Sequence, residues 1–329
     1  MRRIRLTVAY DGTAYHGWQV QNNGETIESV LNRELSALLK EEIVVIGASR
    51  TDSGVHALGN VAVFDTDSRI PADKISYALN QRLPADIRIQ KSEQVADDFH
   101  PRKVNGRKTY EYRILNREFE LPSMRLNSYF FHRKLNVTWM QEAAVHFLGE
   151  HDFKSFCSVH TQSEDTVRTI YSLDVRQEGE CVVIRVCGSG FLYNMVRIIA
   201  GTLIQAGIGK IAPDKFPDIL AARDRQTAGP TAPAHGLTLV SLEYETKLPD
   251  EECVENEDWS YRILQRTIAE EGRAYVAIFR CREAYYEELV DRLALRCFRN
   301  GAKEVHFRDE STGKISKKTQ ILLDTHGQV

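Results

Sequence analysis

Residues 3–10, Arg-Ile-Arg-Leu-Thr-Val-Ala-Tyr, and 26–39, Thr-Ile-Glu-Ser-Val-Leu-Asn-Arg-Glu-Leu-Ser-Ala-Leu-Leu, set two different periods side by side. In the first, Ile4, Leu6, Val8 and Tyr10 share one parity, the mark of a half-buried strand, and Asp11-Gly12 turns the chain after it. In the second, Ile27, Val30, Leu31, Leu35, Leu38 and Leu39 recur every three or four residues behind Thr26, so an amphipathic helix starts there. Downstream, strands are predicted at 43–48 and 60–65, a helix over 71–79 and an extended run at 87–90. Strand, helix, strand, strand, helix, strand is the order of an α+β sandwich.

A second stretch repeats the mixture. Residues 108–115 put Tyr110, Tyr112 and Ile114 on one strand face, with Glu111 and Arg113 on the other. An amphipathic helix is predicted over 137–148, and a hairpin joins 169–177 to 181–187 through Glu178-Gly179-Glu180. Residues 191–206 read as a buried helix, too short for a membrane span and interrupted by Asn194 and Arg197. A closing strand falls at 237–244. The fold expected is α+β: two similar α/β halves, 1–104 and 105–246, with largely antiparallel sheets covered by helices. Residues 247–258, acidic and carrying Pro249, read as an exposed linker, and 259–329 as a small α/β appendage without an assigned role.

With 42% apolar and 27% charged residues, the 329-residue chain has the composition of a soluble globular protein. No membrane span is expected, and no leader, because Arg5 and Asp11 interrupt the apolar start. Six scattered cysteines, Cys157, Cys181, Cys187, Cys253, Cys281 and Cys297, contain no Cys-x-x-Cys pair. They read as reduced thiols of a cytoplasmic protein, without a metal site. The net charge of −3 argues against indiscriminate coating of nucleic acid. Residues 1–249 are nevertheless balanced, and the 13 basic against 16 acidic residues beyond Pro249 supply the deficit. A neutral body can carry a basic cleft.

The stretch with most chemical content is 47–57, Gly-Ala-Ser-Arg-Thr-Asp-Ser-Gly-Val-His-Ala, a loop of small and polar residues leaving a strand. Asp-Ser-Gly alone describes a plain turn. Arg50 beside Asp52 adds a guanidinium that can hold a carboxylate ionised in a dry cleft. His56 reads as a structural hydrogen-bonding group. Tyr110, near Arg107 and Lys108, is either core or a platform for stacking a base. Arg197, alone on an apolar helix, either snorkels to the surface or pairs with Asp52. Gly188-Ser189-Gly190 and Gly207-Ile208-Gly209-Lys210 fall short of phosphate-binding fingerprints.

Taken in order, Tyr10-Asp11-Gly12, Gly17-Trp18-Gln19, residues 47–57, Phe99-His100-Pro101-Arg102, His151-Asp152-Phe153-Lys154-Ser155-Phe156, 191–197 and Thr231-Ala232-Pro233-Ala234 resemble the signatures of the tRNA pseudouridine synthase A family, over nearly all of residues 1–245. Two departures stand out: Val20, where many relatives are basic, and Tyr193-Asn194 in place of a common His pair. The resemblance implies the pseudouridine synthase fold and a symmetric homodimer with a basic cleft. It also implies isomerisation of uridines 38, 39 and 40 in the anticodon arm of tRNA, without metal or organic cofactor. Asp52 would then be the nucleophilic carboxylate, Arg197 its ion-pair partner, Tyr110 the base-stacking aromatic and Arg50 a contact to RNA that helps place the flipped base.

The chemistry agrees with that expectation. Breaking an N–C glycosidic bond and rejoining the base through carbon involves no redox change, so one ionised, desolvated carboxylate suffices. Flipping the uridine out costs a few kcal/mol, which stacking and phosphate contacts offset, with Lys103, Arg107, Lys108 and Arg168 as candidate contacts. A glycoside hydrolase would need a second carboxylate, and none stands out. An RNA-binding module without catalysis would make Asp52 a turn residue.

Overall fold

The structure, a computed structural model, describes residues 1–104, 106–158, 165–244, 254–255, 259–262, 273–281, 286–299, 304–309 and 315–319. Two compact units divide the chain, Met1–Leu242 and Glu243–Val329.

In the first unit, β1 (Arg2–Tyr10) alternates as its sequence requires, with Ile4, Leu6 and Val8 fully enclosed. It pairs antiparallel with β3 (His56–Thr66) on one side and β4 (Ile87–Val95) on the other. Helix α1 (Ile27–Leu39) begins at Thr26 in a capping box with Ser29, which satisfies two amides at the helix start. Lys40, at φ +58, ends it. Helix α2 (Ala72–Asn80) follows Pro71. The later strands are β5 (Gly106–Leu115), β6 (Tyr129–Phe130), β7 (Gly149–Asp152), β8 (Val167–Glu178), β9 (Cys181–Gly188) and β10 (Leu237–Tyr244). Between them lie α3 (Val137–Ala144), α4 (Met195–Gly207) and α5 (Phe216–Ala222).

The unit has the expected α+β architecture, a large, mostly antiparallel sheet with several helices. Both sets of strands belong to one sheet of order β4-β1-β3-β10-β5-β9-β8-β7, with the short β2 (Ile46–Gly47) on β3 and β6 on β5. The join is β10, which pairs parallel with the start of β3 at Thr238↔His56 and lies beside β5. One hydrophobic core runs through both sets, from Ile4 and Leu31 to Tyr112, Ile184 and Ile199.

Three local expectations are corrected. Residues 43–45 do not extend β2, because the Ile43 and Val45 amides donate to side chains of α1, Ser36 Oγ at 2.9 Å and Asn32 Oδ1 at 2.8 Å. Helix α4 starts at Met195, not residue 191, because Asn194 at φ +62 breaks helical geometry before it. The helix predicted to reach residue 148 tightens into a 3-10 turn at Val145–Phe147.

The second unit is a five-stranded sheet in sequence order: β11 (Val254–Glu255), β12 (Trp259–Arg262), β13 (Arg273–Cys281), β14 (Glu304–Asp309) and β15 (Ile315–Thr319). Helix α6 (Tyr286–Arg299) connects the parallel pair β13 and β14, burying Val290, Leu293, Ala294 and Phe298. Apart from β11, the linker expected at 247–258 lies outside the described residues.

Candidate active site

The loop between β2 and β3 is tied down residue by residue. Asn60, fully buried, accepts from the Ser49 amide at 3.3 Å and donates to the Ser49 carbonyl at 3.0 Å. The Thr51 hydroxyl bonds Tyr10 Oη at 2.7 Å, while the Trp18 amide donates to the Thr51 carbonyl at 3.0 Å. Ser53 Oγ donates to the Tyr15 carbonyl at 3.1 Å, and the Val55 amide closes the turn onto the Asp52 carbonyl at 3.1 Å.

Two glycines let the neighbouring backbone come this close. A Cβ on Gly12 would sit 2.1 Å from the Val55 carbonyl oxygen, and one on Gly17, at φ +85, would lie 2.7 Å from that of Thr51. Tyr10-Asp11-Gly12 and Gly17-Trp18-Gln19 are thus the cradle of the Asp52 loop. His56 belongs to the same scaffold: its Nδ1 accepts from the Gly12 amide at 3.1 Å and its Nε2 donates to the His235 carbonyl at 3.2 Å.

Across this loop lies Arg197, on the first turn of α4. Its Nη1 donates to Asp52 Oδ2 at 3.1 Å and to Asn194 Oδ1 at 2.7 Å, and its Nε donates to the Ala232 carbonyl at 2.8 Å. Both partners are largely enclosed, at 22% side-chain exposure for Asp52 and 18% for Arg197. A Cβ on Gly201 would meet the Pro230 carbonyl oxygen at 1.8 Å, which shows how tightly α4 is pressed against the segment carrying Ala232. Burial lifts the Asp52 carboxyl above its ordinary range, and the Arg197 guanidinium opposes that lift without cancelling it. Arg50 does not take this role. It is exposed, and its Nη1 reaches Gln19 Oε1 at 3.4 Å.

Tyr110, on the inner face of β5, is buried and meets Phe191 edge-on at 5.3 Å between ring centroids. Burial pushes its phenol up to about 12, with the Ser49 side chain acting against that rise and the Asp52 charge adding to it. Lys108 stands one step along the same strand face, its Nζ 3.3 Å from the Ala48 carbonyl that it donates to. Desolvation, helped by Arg102, Arg168 and Arg50, lowers its ammonium to about 8. These four cations gather at the loop. Arg102, which also donates to the Gly47 carbonyl at 2.7 Å, was legible only as part of the Phe99–Arg102 stretch and not as a site residue. Arg107 instead lies over the Tyr171 ring at 4.5 Å, and Lys103 is exposed without a place in this group.

Among the described residues, no three His, Cys, Asp or Glu side chains gather so as to hold a metal ion. No helix of the described residues is long and apolar enough to cross a membrane. A half-buried carboxylate held by one arginine, beside a buried tyrosine and under a rim of cations, can act on a polyanion as nucleophile or base.

A family model described as tRNA pseudouridine synthase matches residues 6–102 and 143–245. The chain is similar to the tRNA pseudouridine synthase A of Ruminiclostridium cellulolyticum, 52% identical over 245 residues, which cover 74% of this chain and 100% of that protein. For the protein of the same name from Acetivibrio thermocellus the identity is 48% over 244 residues, with coverage of 74% and 100%. For that of Bacillus subtilis it is 46% over 245 residues, with 74% and 99%.

Proposed function

This chain belongs to the tRNA pseudouridine synthase family, and from that premise we propose that it isomerises uridines 38, 39 and 40 of the tRNA anticodon arm with Asp52 as catalytic nucleophile. The coarser activity, isomerisation of uridine to pseudouridine in tRNA, comes with the family. The observation that carries the finer assignment is the Asp52–Arg197 pair, which joins two stretches 145 residues apart in a largely enclosed site. Asp52 has one guanidinium as its ionic partner and no second carboxylate beside it among the described residues, unlike the paired acids of glycoside hydrolysis.

In the reaction the N1–C1′ bond breaks, C5 joins C1′, and the proton on C5 is exchanged for one on N1, leaving oxidation state unchanged. Asp52 acts ionised, and Arg197 maintains that form against desolvation. Tyr110 stacks the flipped base, while Arg50 helps to place it. Lys108, Arg102 and Arg168 hold phosphates at the rim, with Arg107 and Lys103 further out. A cytoplasmic homodimer is the assembly that goes with this assignment, and sedimentation at twice the chain mass is its check.

The test is pseudouridine mapping in transcripts carrying uridine at 38, 39 or 40 singly. Product at each of these positions supports the assignment, and product confined to another arm of the tRNA contradicts it.

A further inference from the structure

The Arg197 guanidinium has two fixed partners besides Asp52, and both lead to the same cavity. Asn194, which accepts from Arg197, donates through Nδ2 to Ser158 Oγ at 2.8 Å. Ala232, the other acceptor, follows Thr231, whose Oγ1 accepts from Arg225 Nη2 at 3.2 Å. Ser158 and Arg225 line a cavity of about 240 Å³ together with Lys154, Cys157, Arg223 and Asp224. Neither Arg223 nor Arg225 figures in the chemistry assigned to Asp52.

Among the described residues that line this cavity, three cations face one carboxylate, and Asp224 already accepts from the Gln226 amide at 2.9 Å. Arg223 pairs with Asp152 at 3.0 Å, but among the described residues no carboxylate pairs with Lys154 or Arg225. Arg225 directs Nη1 to the Ala228 carbonyl at 3.4 Å and Nη2 to Thr231, which leaves part of a five-donor fork unused. Partial burial makes that guanidinium harder to keep charged, and among the described residues no anion compensates. Surplus positive charge with spare planar donors recognises an oxyanion, and a guanidinium fork matches a phosphate in shape as well as charge.

Resting on the tRNA substrate proposed above, we infer that this cavity is a second RNA subsite that takes a backbone phosphate close to the target uridine and, once filled, steadies Arg197 through Asn194 and Thr231. Lys154 and Arg223 supply charge at the opening. Arg225 is a positioning residue, because it touches the segment that holds Arg197 and not the reacting atoms.

The experiment uses the full chain and an unmodified tRNA transcript, measuring Kd against salt and single-turnover pseudouridine formation against pH. For Lys154→Gln/Arg223→Gln, with a thermal melt matching wild type, the transcript Kd rises about 10- to 100-fold and the slope of log Kd on log salt shrinks by about one to two. The charge-preserving Lys154→Arg/Arg223→Lys restores both. Arg225→Gln moves the acid limb of the rate to higher pH, and Arg225→Lys moves it less. Inorganic phosphate separates the sources: it competes with the transcript on wild type and loses that effect on the double Gln variant. Phosphate binding that the double Gln variant abolishes, with transcript Kd and salt slope unchanged, would make this a free-anion site and overturn the inference. Unchanged Kd, slope and phosphate binding overturn it as well. Since the binding arm needs no turnover, absence of pseudouridine product sinks the enzymatic assignment separately.

Discussion

Asp52 and the cations at its rim belong to one site, yet they are held in opposite ways. Around Asp52, the backbone of Ser49, Thr51 and Val55 is bonded to Asn60, Trp18 and Asp52 itself, and Gly12 and Gly17 admit the neighbouring chain at contact distance. At the rim, Arg50, Arg102 and Lys108 bond to a side-chain amide and two carbonyls, neutral acceptors that leave their charge unspent. A group that must meet a reacting atom is fixed beforehand, because reorganisation during the reaction is what slows it. A group that must meet a polyanion keeps its charge free and its stem adjustable.

The contrast breaks most severely at Arg197. Arg197→Met leaves the enclosed Asp52 without its counter-charge, which costs the fold about 3–5 kcal/mol, and because the carboxyl is then less often ionised and its site less preorganised, kcat falls by about 10²–10³ near neutral pH. The sign of the pH effect follows from the cause. Arg197 holds the Asp52 carboxyl down against burial, so without it the carboxyl rises further, less is ionised at a given pH, and the acid limb of kcat moves to higher pH. Lys at this position restores part of the loss.

The rigid side of the comparison is sharpened by Gly12→Ala. Its new Cβ would be 2.1 Å from the Val55 carbonyl oxygen, so the loop must shift and the fold loses about 1–3 kcal/mol, read as a lower midpoint in urea. Activity falls further than that stability change explains, whereas RNA affinity stays within about twofold, since the phosphate contacts are elsewhere.

At the rim, the effect is smaller and depends on pH. Lys108, lowered to about 8, is charged below that pH and neutral above it. Transcript Kd therefore weakens about tenfold between pH 7 and pH 9, the size of one charge-assisted contact, and Lys108→Arg flattens the change. A flat wild-type profile would mean that Lys108 does not meet phosphate.

What was legible in the sequence follows the same division. Strand β1 and helix α1 were readable because burial of one face dictates every second or every third to fourth residue. The Asp52 loop stood out because its turn residues are local. Residues 43–45 misled because their apolar content reports burial, whereas the partners of their amides are side chains of α1, which no periodicity records. Adjacency along the chain offered Arg50 as a counter-charge, whereas Arg197, 145 residues from Asp52, was legible as its partner only as one of two readings of a lone charge on an apolar helix and through the family resemblance. The joining strand β10 was predicted as a strand, but its place between β3 and β5 is a long-range fact that no local pattern contains. Arg102 and the cavity at Lys154 and Arg225 escaped for a related reason, since exposed cations carry no period and gather only in space.

The most direct test of Asp52 as nucleophile is pseudouridine formation in an unmodified tRNA transcript, mapped by position, with wild type and Asp52→Asn side by side and no cofactor added. The account predicts product at 38–40 from wild type, none detectable from Asp52→Asn, and transcript affinity retained by both. Product from Asp52→Asn at a rate within about tenfold of wild type would contradict it, because loss of a catalytic nucleophile costs far more than that.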